Sequence, residues 1–160
     1  MDAIRHEVWI NADRPTVFAA LTTTAGLDAW WGRAVRAEPA VGSVTEFDHG
    51  LGAPLRMRVT DLVPDQRLEW RCLSAFTEPG NPASEWLGHR LVFALATVRR
   101  GDVGPLLAPL ITGARATVLR FEHAGWTRAA RWYPFCNTAW GHALGTDLRT
   151  YCETDAAPSP

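Results

Sequence analysis

The sequence contains no lysine, and all sixteen of its basic residues are arginines. These arginines are scattered along the chain and nearly balance seventeen acidic residues, so that the net charge is −1. A protein that binds nucleic acid or an acidic membrane needs a concentrated basic stripe or patch, and the sequence has none. We therefore expect neither a nucleic acid nor a membrane as a partner.

Long apolar runs are also lacking, since none approaches the roughly 20 residues that a membrane-spanning helix needs. The first ten residues have no apolar core of the kind found in signal peptides. The three cysteines form no CxxC pattern, and Cys136 and Cys152 lie about 24 Å apart if they belong to one helix. Free thiols in the reducing cytoplasm are therefore expected.

Tryptophan is the residue that is unusually abundant, with eight in 160 residues. Aromatic side chains in this number line a cavity or fill a core, and the composition leaves both interpretations open. The length is that of one domain, which we place at residues 1–154, followed by a frayed tail at 155–160.

Hydrophobic periodicity predicts the start of the chain. Apolar and polar residues alternate over Ile4–Ile10, which indicates a strand. Two short helices follow: Asp13 or Asn11 is placed to cap the first, and Thr24 begins the second. The second helix ends at two adjacent tryptophans, Trp30 and Trp31, of which we expect one to pack and the other to border the groove described below.

Further strands and one long helix complete the pattern. Alternation predicts strands at residues 43–48, 55–62, 67–73, 86–98 and 116–123, with a turn at 49–52 and a loop at 77–84. A final helix runs from about Pro134 to Glu153. One apolar stripe along it consists of Cys136, Trp140, Leu144, Leu148 and Cys152.

Strands that are grouped together, with helices set apart, are typical of an α+β fold. The one long helix must cover the apolar face of a broad, curved antiparallel sheet. A helix is only about 10 Å wide and cannot fill that concave side alone. The remaining space is either closed by aromatic side chains or left as a pocket.

Five motifs, in their order and spacing, resemble the SRPBCC superfamily, the START-like helix-grip fold of birch-pollen allergen. They are VFAALTTTAGLDAWW (17–31), DLVPDQRLEWRC (61–72), EWLGHRLVF (85–93), LRFEHAGW (119–126) and CNTAWGHALGTDLRTYCET (136–154). The nearest branch is named for homology to the activator of the ninety-kilodalton heat-shock protein ATPase. The resemblance covers about residues 4–154. It implies a curved antiparallel sheet of six or seven strands that grips the C-terminal helix around an apolar cavity.

The resemblance identifies the residues that would reach the space between sheet and helix. We expect the ligand-binding residues to be Trp70, Trp86, His89, Phe93, Phe121, His123, Trp126, Trp140 and Leu144. His123 is either a polar anchor or general base at the cavity mouth, or a buried histidine that holds the following turn. His89 replaces the small hydroxyl residue usual in the family, and is either a specificity group or a satisfied core histidine.

The segment 100–115 is longer than the hairpin turn usual at this point in the family. Its leucines must be covered, so we expect it to cap the groove as a lid or to form a homodimer contact; the alternative is that it folds back on the outer face near Trp9. No metal-ligand cluster, phosphate loop or dinucleotide fingerprint occurs, and no metal or cofactor is expected.

The leading functional expectation is a cytoplasmic domain that binds a small hydrophobic molecule, which favours a binding protein over an enzyme without deciding between them. One alternative is a cyclase or dehydratase that uses His123 or His89 as its base. Another alternative is an interaction module that works with a chaperone in stress.

Overall fold

The computed structural model describes residues 3–48, 54–74 and 80–154. Seven antiparallel strands form one sheet in the order β1-β7-β6-β5-β4-β3-β2. The strands are β1 (Ile4–Ile10), β2 (Ala34–Arg36), β3 (Val44–Phe47), β4 (Leu55–Val63), β5 (Arg67–Ser74), β6 (Arg90–Arg99) and β7 (Arg115–Ala124). The α+β helix-grip fold expected from the sequence is thereby confirmed.

Two short helices, α1 (Arg14–Thr22) and α2 (Thr24–Trp30), connect β1 to β2. Thr23 caps α2 by accepting a hydrogen bond from the Gly26 amide. Asp13 stands at the N-cap position of α1 as predicted, but its side chain makes no capping bond. It pairs with Arg115 on β7 instead.

The C-terminal helix runs without a break over Tyr133–Glu153. It begins as α3 (Tyr133–His142), passes through a π-helical turn (Ala143–Leu148) and ends as α4 (Arg149–Glu153). The predicted stripe of Cys136, Trp140, Leu144, Leu148 and Cys152 is buried throughout. Gly141 admits the imidazole of His6, which would lie 3.2 Å from a Cβ atom at this position.

The strand predicted at 86–98 begins later than expected, at Arg90. Asn81 caps a short 3-10 helix (Pro82–Glu85), and Gly88 then takes a φ of +79° that no strand residue adopts. The strand β2 was not predicted, because three residues are too few to show alternation. The predicted turn at 49–52, residues 77–79 of the predicted loop and the tail at 155–160 lie outside the described residues.

The 100–115 segment does not cover the groove. Asn11 fastens it to the end of β1: the Asn11 side chain donates to the Leu110 carbonyl (3.1 Å) and accepts from the Thr112 amide (2.9 Å). Ile111 is buried, but Leu106 is 88% exposed and Leu110 is 52% exposed. The lid expectation was therefore wrong, because this segment docks at a different edge of the molecule.

Candidate functional site

An open cavity of about 380 Å³ lies between the C-terminal helix and the start of β4. The 3-10 helix that precedes β6 forms one side, and the end of α2 forms another. Its described lining residues are Trp31, Leu55, Asn81, Pro82, Ala83, Trp86, Phe135, Cys136, Ala139, Trp140 and Ala143. A cavity of this size, lined mainly by apolar side chains, is typical of small-molecule sites.

Three tryptophans dominate the wall, and their indole planes are nearly parallel. Trp31 and Trp86 are inclined by 5° with centroids 6.4 Å apart. Trp140 lies 5.3 Å from Trp31 at 23°, and 5.8 Å from Trp86 at 18°. The three rings come from three separate segments of the chain, so only the tertiary fold brings them together.

The two tryptophans that end α2 have different roles, as predicted. Trp30 is buried and donates its indole N–H to the Ala20 carbonyl at 2.8 Å, which fixes α2 against α1. Trp31 stacks on Trp30 with ring centroids 6.2 Å apart, contacts Phe47 edge to face at 4.5 Å and borders the cavity.

The nine predicted ligand-binding residues are all buried, but they divide into two groups. Trp86 and Trp140 line the cavity. The other seven do not line it and belong to the packed interior behind it: Trp70, His89, Phe93, Phe121, His123, Trp126 and Leu144. Much of the space between sheet and helix is therefore filled by aromatic rings, and the cavity is the part left open at one end.

Sequence reasoning missed Asn81 and the helix residues Phe135, Ala139 and Ala143 as cavity residues. The three helix positions recur at i+4, one residue before each of Cys136, Trp140 and Leu144 in the core stripe. That second stripe is the available signal, but two of its members are alanines, which do not distinguish a cavity wall from helix packing.

Behind the wall, three residues form a chain of hydrogen bonds. The indole N–H of Trp140 can only donate, and it meets Nδ1 of His123 at 3.1 Å. Neutral His123 therefore carries its proton on Nε2, which lies 3.0 Å from Nδ1 of His89. Neutral His89 accepts at Nδ1 and so carries its own proton on Nε2. Both tautomers are thus determined by the one donor at Trp140.

Both imidazoles are held in the neutral form. Burial and, to a smaller extent, the neighbouring His89 lower the pKa of His123 to about 3. Burial also lowers the pKa of His89, against the opposing effects of the Glu85 charge and the Gly125 carbonyl. His123 is a buried histidine, as one of the two expectations had it, but its ring bonds the side chains of Trp140 and His89 and not the backbone of the following turn.

The cavity has few polar groups. Asn81 accepts a hydrogen bond from the Ala83 amide at 2.9 Å. The indole N–H of Trp86 is buried without an oxygen or nitrogen acceptor in the described part of the chain and only approaches the Cys136 thiol. Burial raises the pKa of Cys136 to about 11, so this thiol stays protonated and is a poor nucleophile.

Glu85 ties the 3-10 helix to the beginning of α3. Its carboxylate accepts from the backbone amides of Arg131 (3.0 Å) and Trp132 (2.8 Å). Two sides of the cavity are thereby held together.

Across residues 3–48, 54–74 and 80–154, no three histidine, cysteine or acidic side chains meet as a metal site requires. No helix in the same residues is long and apolar enough to cross a membrane.

A helix-grip sheet around one long helix, with an apolar cavity between them, defines an SRPBCC-like domain. The sequence matches the family model described as Activator of Hsp90 ATPase homolog 1-like protein over residues 11–153, so the chain belongs to this family. The resemblance stated from the motifs is confirmed. No curated protein matches the sequence significantly.

Solved structures agree with this assignment. The Aha1 dimer from Colwellia psychrerythraea, a solution structure, is 27% identical with a TM-score of 0.73, and the match covers 99% of this chain and 100% of that one. MLL2253 from Mesorhizobium loti is 20% identical with a TM-score of 0.69, over 92% of this chain and 94% of that one. DynU16, from the dynemicin biosynthetic locus, is 21% identical with a TM-score of 0.68, over 98% of this chain and 49% of that one.

Proposed function

We propose that this protein binds a small hydrophobic molecule in the cavity between the C-terminal helix, α2 and the 3-10 helix before β6. The observation that carries the proposal is the wall of three near-parallel indoles around about 380 Å³ of open space. Transfer of apolar ligand surface out of water contributes roughly 25 cal/mol per Å², before the costs of immobilisation are subtracted. DynU16, whose fold is similar, is described as a protein in the dynemicin biosynthetic locus.

Blocking the cavity without disturbing the core is expected to abolish binding. Ala139 is exposed on the helix and lines the cavity, so Ala139→Phe places a ring in the space that a ligand would occupy. We expect at least a tenfold loss of affinity, measured by indole ¹H–¹⁵N NMR titration with 2-acetylnaphthalene as the probe.

The matched control is Thr138→Phe, the same substitution at the preceding exposed position, which does not line the cavity. It should bind the probe like the unaltered protein. Equal affinities for the two variants would show that the probe binds elsewhere. No chemical-shift change in the unaltered protein with this probe would count against the proposal itself.

The geometry favours binding over catalysis by an inward histidine. A general base must come within hydrogen-bond reach of its substrate. His89 and His123 do not line the cavity, and their ring nitrogens bond each other and, for His123, the indole of Trp140. A cyclase or dehydratase that uses either histidine as its base would first have to break this chain of bonds.

We also propose that two copies associate through the leucines of the 100–115 segment. Leu106 is 88% exposed, and Leu107 and Leu110 are 40% and 52% exposed. The Colwellia relative, matched along its whole length, is described as a dimer. A chaperone contact through the same leucines is the alternative that the family description raises.

We propose a cytoplasmic location for the protein. Its three cysteines are unpaired, which supports this location.

Leu106→Glu is expected to convert the dimer to a monomer, because a carboxylate would then be buried at the contact without a partner. The mass in solution, from light scattering, should fall by half. Leu87→Glu is the control, since Leu87 is 66% exposed but lies outside this segment. A monomeric unaltered protein, or a mass that Leu106→Glu leaves unchanged, would contradict the dimer.

A further inference from the structure

We infer that the ligand of this cavity is an uncharged, flat aromatic molecule whose hydrogen-bond acceptor is held by the side-chain amide of Asn81. This inference rests on the proposed function and makes its ligand class specific. It follows from three properties of the cavity: the mutual orientation of its rings, the direction of its free hydrogen-bonding groups and its lack of charge.

The orientation of the rings favours a flat ligand. Trp31, Trp86 and Trp140 are mutually inclined by only 5° to 23°. A planar ring that stacks on one of these indoles is therefore nearly parallel to the other two, and offset stacking is a preferred arrangement of aromatic pairs. A flexible alkyl chain gains no such advantage, because its hydrogens present no flat face.

Asn81 has donors without a partner in the described chain, whereas each of its oxygens already accepts a hydrogen bond. Its Oδ1 accepts from the Ala83 amide at 2.9 Å, which determines the orientation of the side-chain amide. The opposite end, Nδ2, has no partner within the described chain. The backbone carbonyl of Asn81 accepts from Ser84 at 2.9 Å, and that of Ala83 accepts from Trp86 at 3.2 Å.

The indole N–H of Trp86 does not add a second donor for a ligand. Its nitrogen is fully buried and reaches only the Cys136 thiol within the described residues. The preference for an acceptor therefore depends on Nδ2 of Asn81, and the cavity complements a molecule with an acceptor, such as a ketone.

No charged side chain lines the cavity among the residues that the structure describes. Glu85, which adjoins the lining residues in sequence, uses its carboxylate on the backbone amides of Arg131 and Trp132. A carboxylate ligand would lose its hydration without gaining a counter-ion. Fatty acids and aromatic acids are thereby disfavoured relative to neutral aromatics.

Three probes of nearly equal size separate these properties: 2-ethylnaphthalene, 2-acetylnaphthalene and 2-naphthoate. The first lacks an acceptor, the second has a neutral ketone oxygen and the third carries a negative charge. Indole ¹H–¹⁵N NMR titrations of the full chain give the dissociation constants. We expect 2-acetylnaphthalene to bind about three- to tenfold more tightly than 2-ethylnaphthalene, which corresponds to one net hydrogen bond, and 2-naphthoate to bind most weakly.

Asn81→Asp assigns the hydrogen bond to the side-chain amide. Aspartate retains the oxygen that caps the 3-10 helix and is as good a cap as asparagine, so the fold is preserved. The variant lacks the Nδ2 donors and should lose the preference for the ketone over the ethyl compound. Asn137→Asp, the same change at an exposed helix position away from the cavity, should retain the preference.

The outcomes separate this inference from the proposed function. If both neutral naphthalenes bind equally, or if Asn81→Asp leaves the ketone preference intact, the role of Asn81 is overturned while the cavity remains a binding site. Tightest binding of 2-naphthoate would overturn the uncharged class. If no naphthalene binds, or if Ala139→Phe does not weaken binding of the probes that do, the proposed site itself is overturned.

Discussion

Replacing Gly125 by alanine is expected to lower the free energy of unfolding by at least about 3 kcal/mol. Gly125 has a φ of +119°, in the region that favours glycine. A Cβ atom here would lie 2.6 Å from Cδ2 of His89 and 3.0 Å from its Cγ. The imidazole of His89 is buried and its Nδ1 is bonded to His123, so it cannot move aside without breaking the chain to Trp140. Urea denaturation followed by circular dichroism measures the effect.

Gly88 provides the matched control, because its φ of +79° is also positive but a Cβ atom at that position would have no neighbour within 4 Å. Gly88→Ala should therefore show the backbone strain alone, about 1–2 kcal/mol. The difference between the two variants isolates the collision with His89. Equal losses for both glycines would contradict the packing of His89 against the Gly125 turn.

Stability is expected to fall as the pH decreases below about 6.5, well before the carboxylates are protonated. Burial lowers the pKa of His123 from its ordinary value of 6.5 to about 3. Between these values the unfolded chain binds a proton that the folded chain does not, so acid favours unfolding. The equilibrium constant for unfolding should rise by up to tenfold per pH unit from His123 alone. His89, whose pKa is also lowered by burial, acts in the same direction.

Denaturation curves collected between pH 7.5 and 4.5 test this dependence. Asp13, whose pKa is lowered from 3.8 by its hydrogen bond to Arg115, affects stability only at lower pH and so falls outside that range. His123→Gln should be less stable at pH 7.5 but show a flatter slope. His142→Gln, at an exposed position of the helix, should keep the slope of the unaltered protein. A slope that His123→Gln does not change would assign the acid sensitivity to other groups.

The fold could be predicted from local patterns to a large extent. Alternation located the long strands within one or two residues at most ends, and the i+4 stripe located the C-terminal helix. The start of β6 was placed four residues early, because His89 continues the alternation of Leu91 and Phe93 although Gly88 turns the backbone just before it. The pattern of apolar residues does not show where the backbone adopts a positive φ.

The candidate site could be predicted only in part. Trp86 and Trp140 were expected on a cavity wall and lie on it, whereas His89 and His123 were expected in the ligand site and pack behind it. Alternation along one strand predicts which side chains point inward. Whether an inward side chain contacts a ligand or another side chain depends on which aromatic rings from the other elements occupy the same space.

The order and periodicity of apolar residues determined the α+β architecture, the single covering helix and the set of side chains that point between helix and sheet. Those properties depend on neighbours along the chain, which the sequence contains. Only the tertiary structure decided how the aromatic rings share that space, where about 380 Å³ remain open, and that a donor on Trp140 sets the tautomers of two histidines. These outcomes depend on packing and hydrogen bonds between residues far apart in sequence, where shape and direction matter more than residue type.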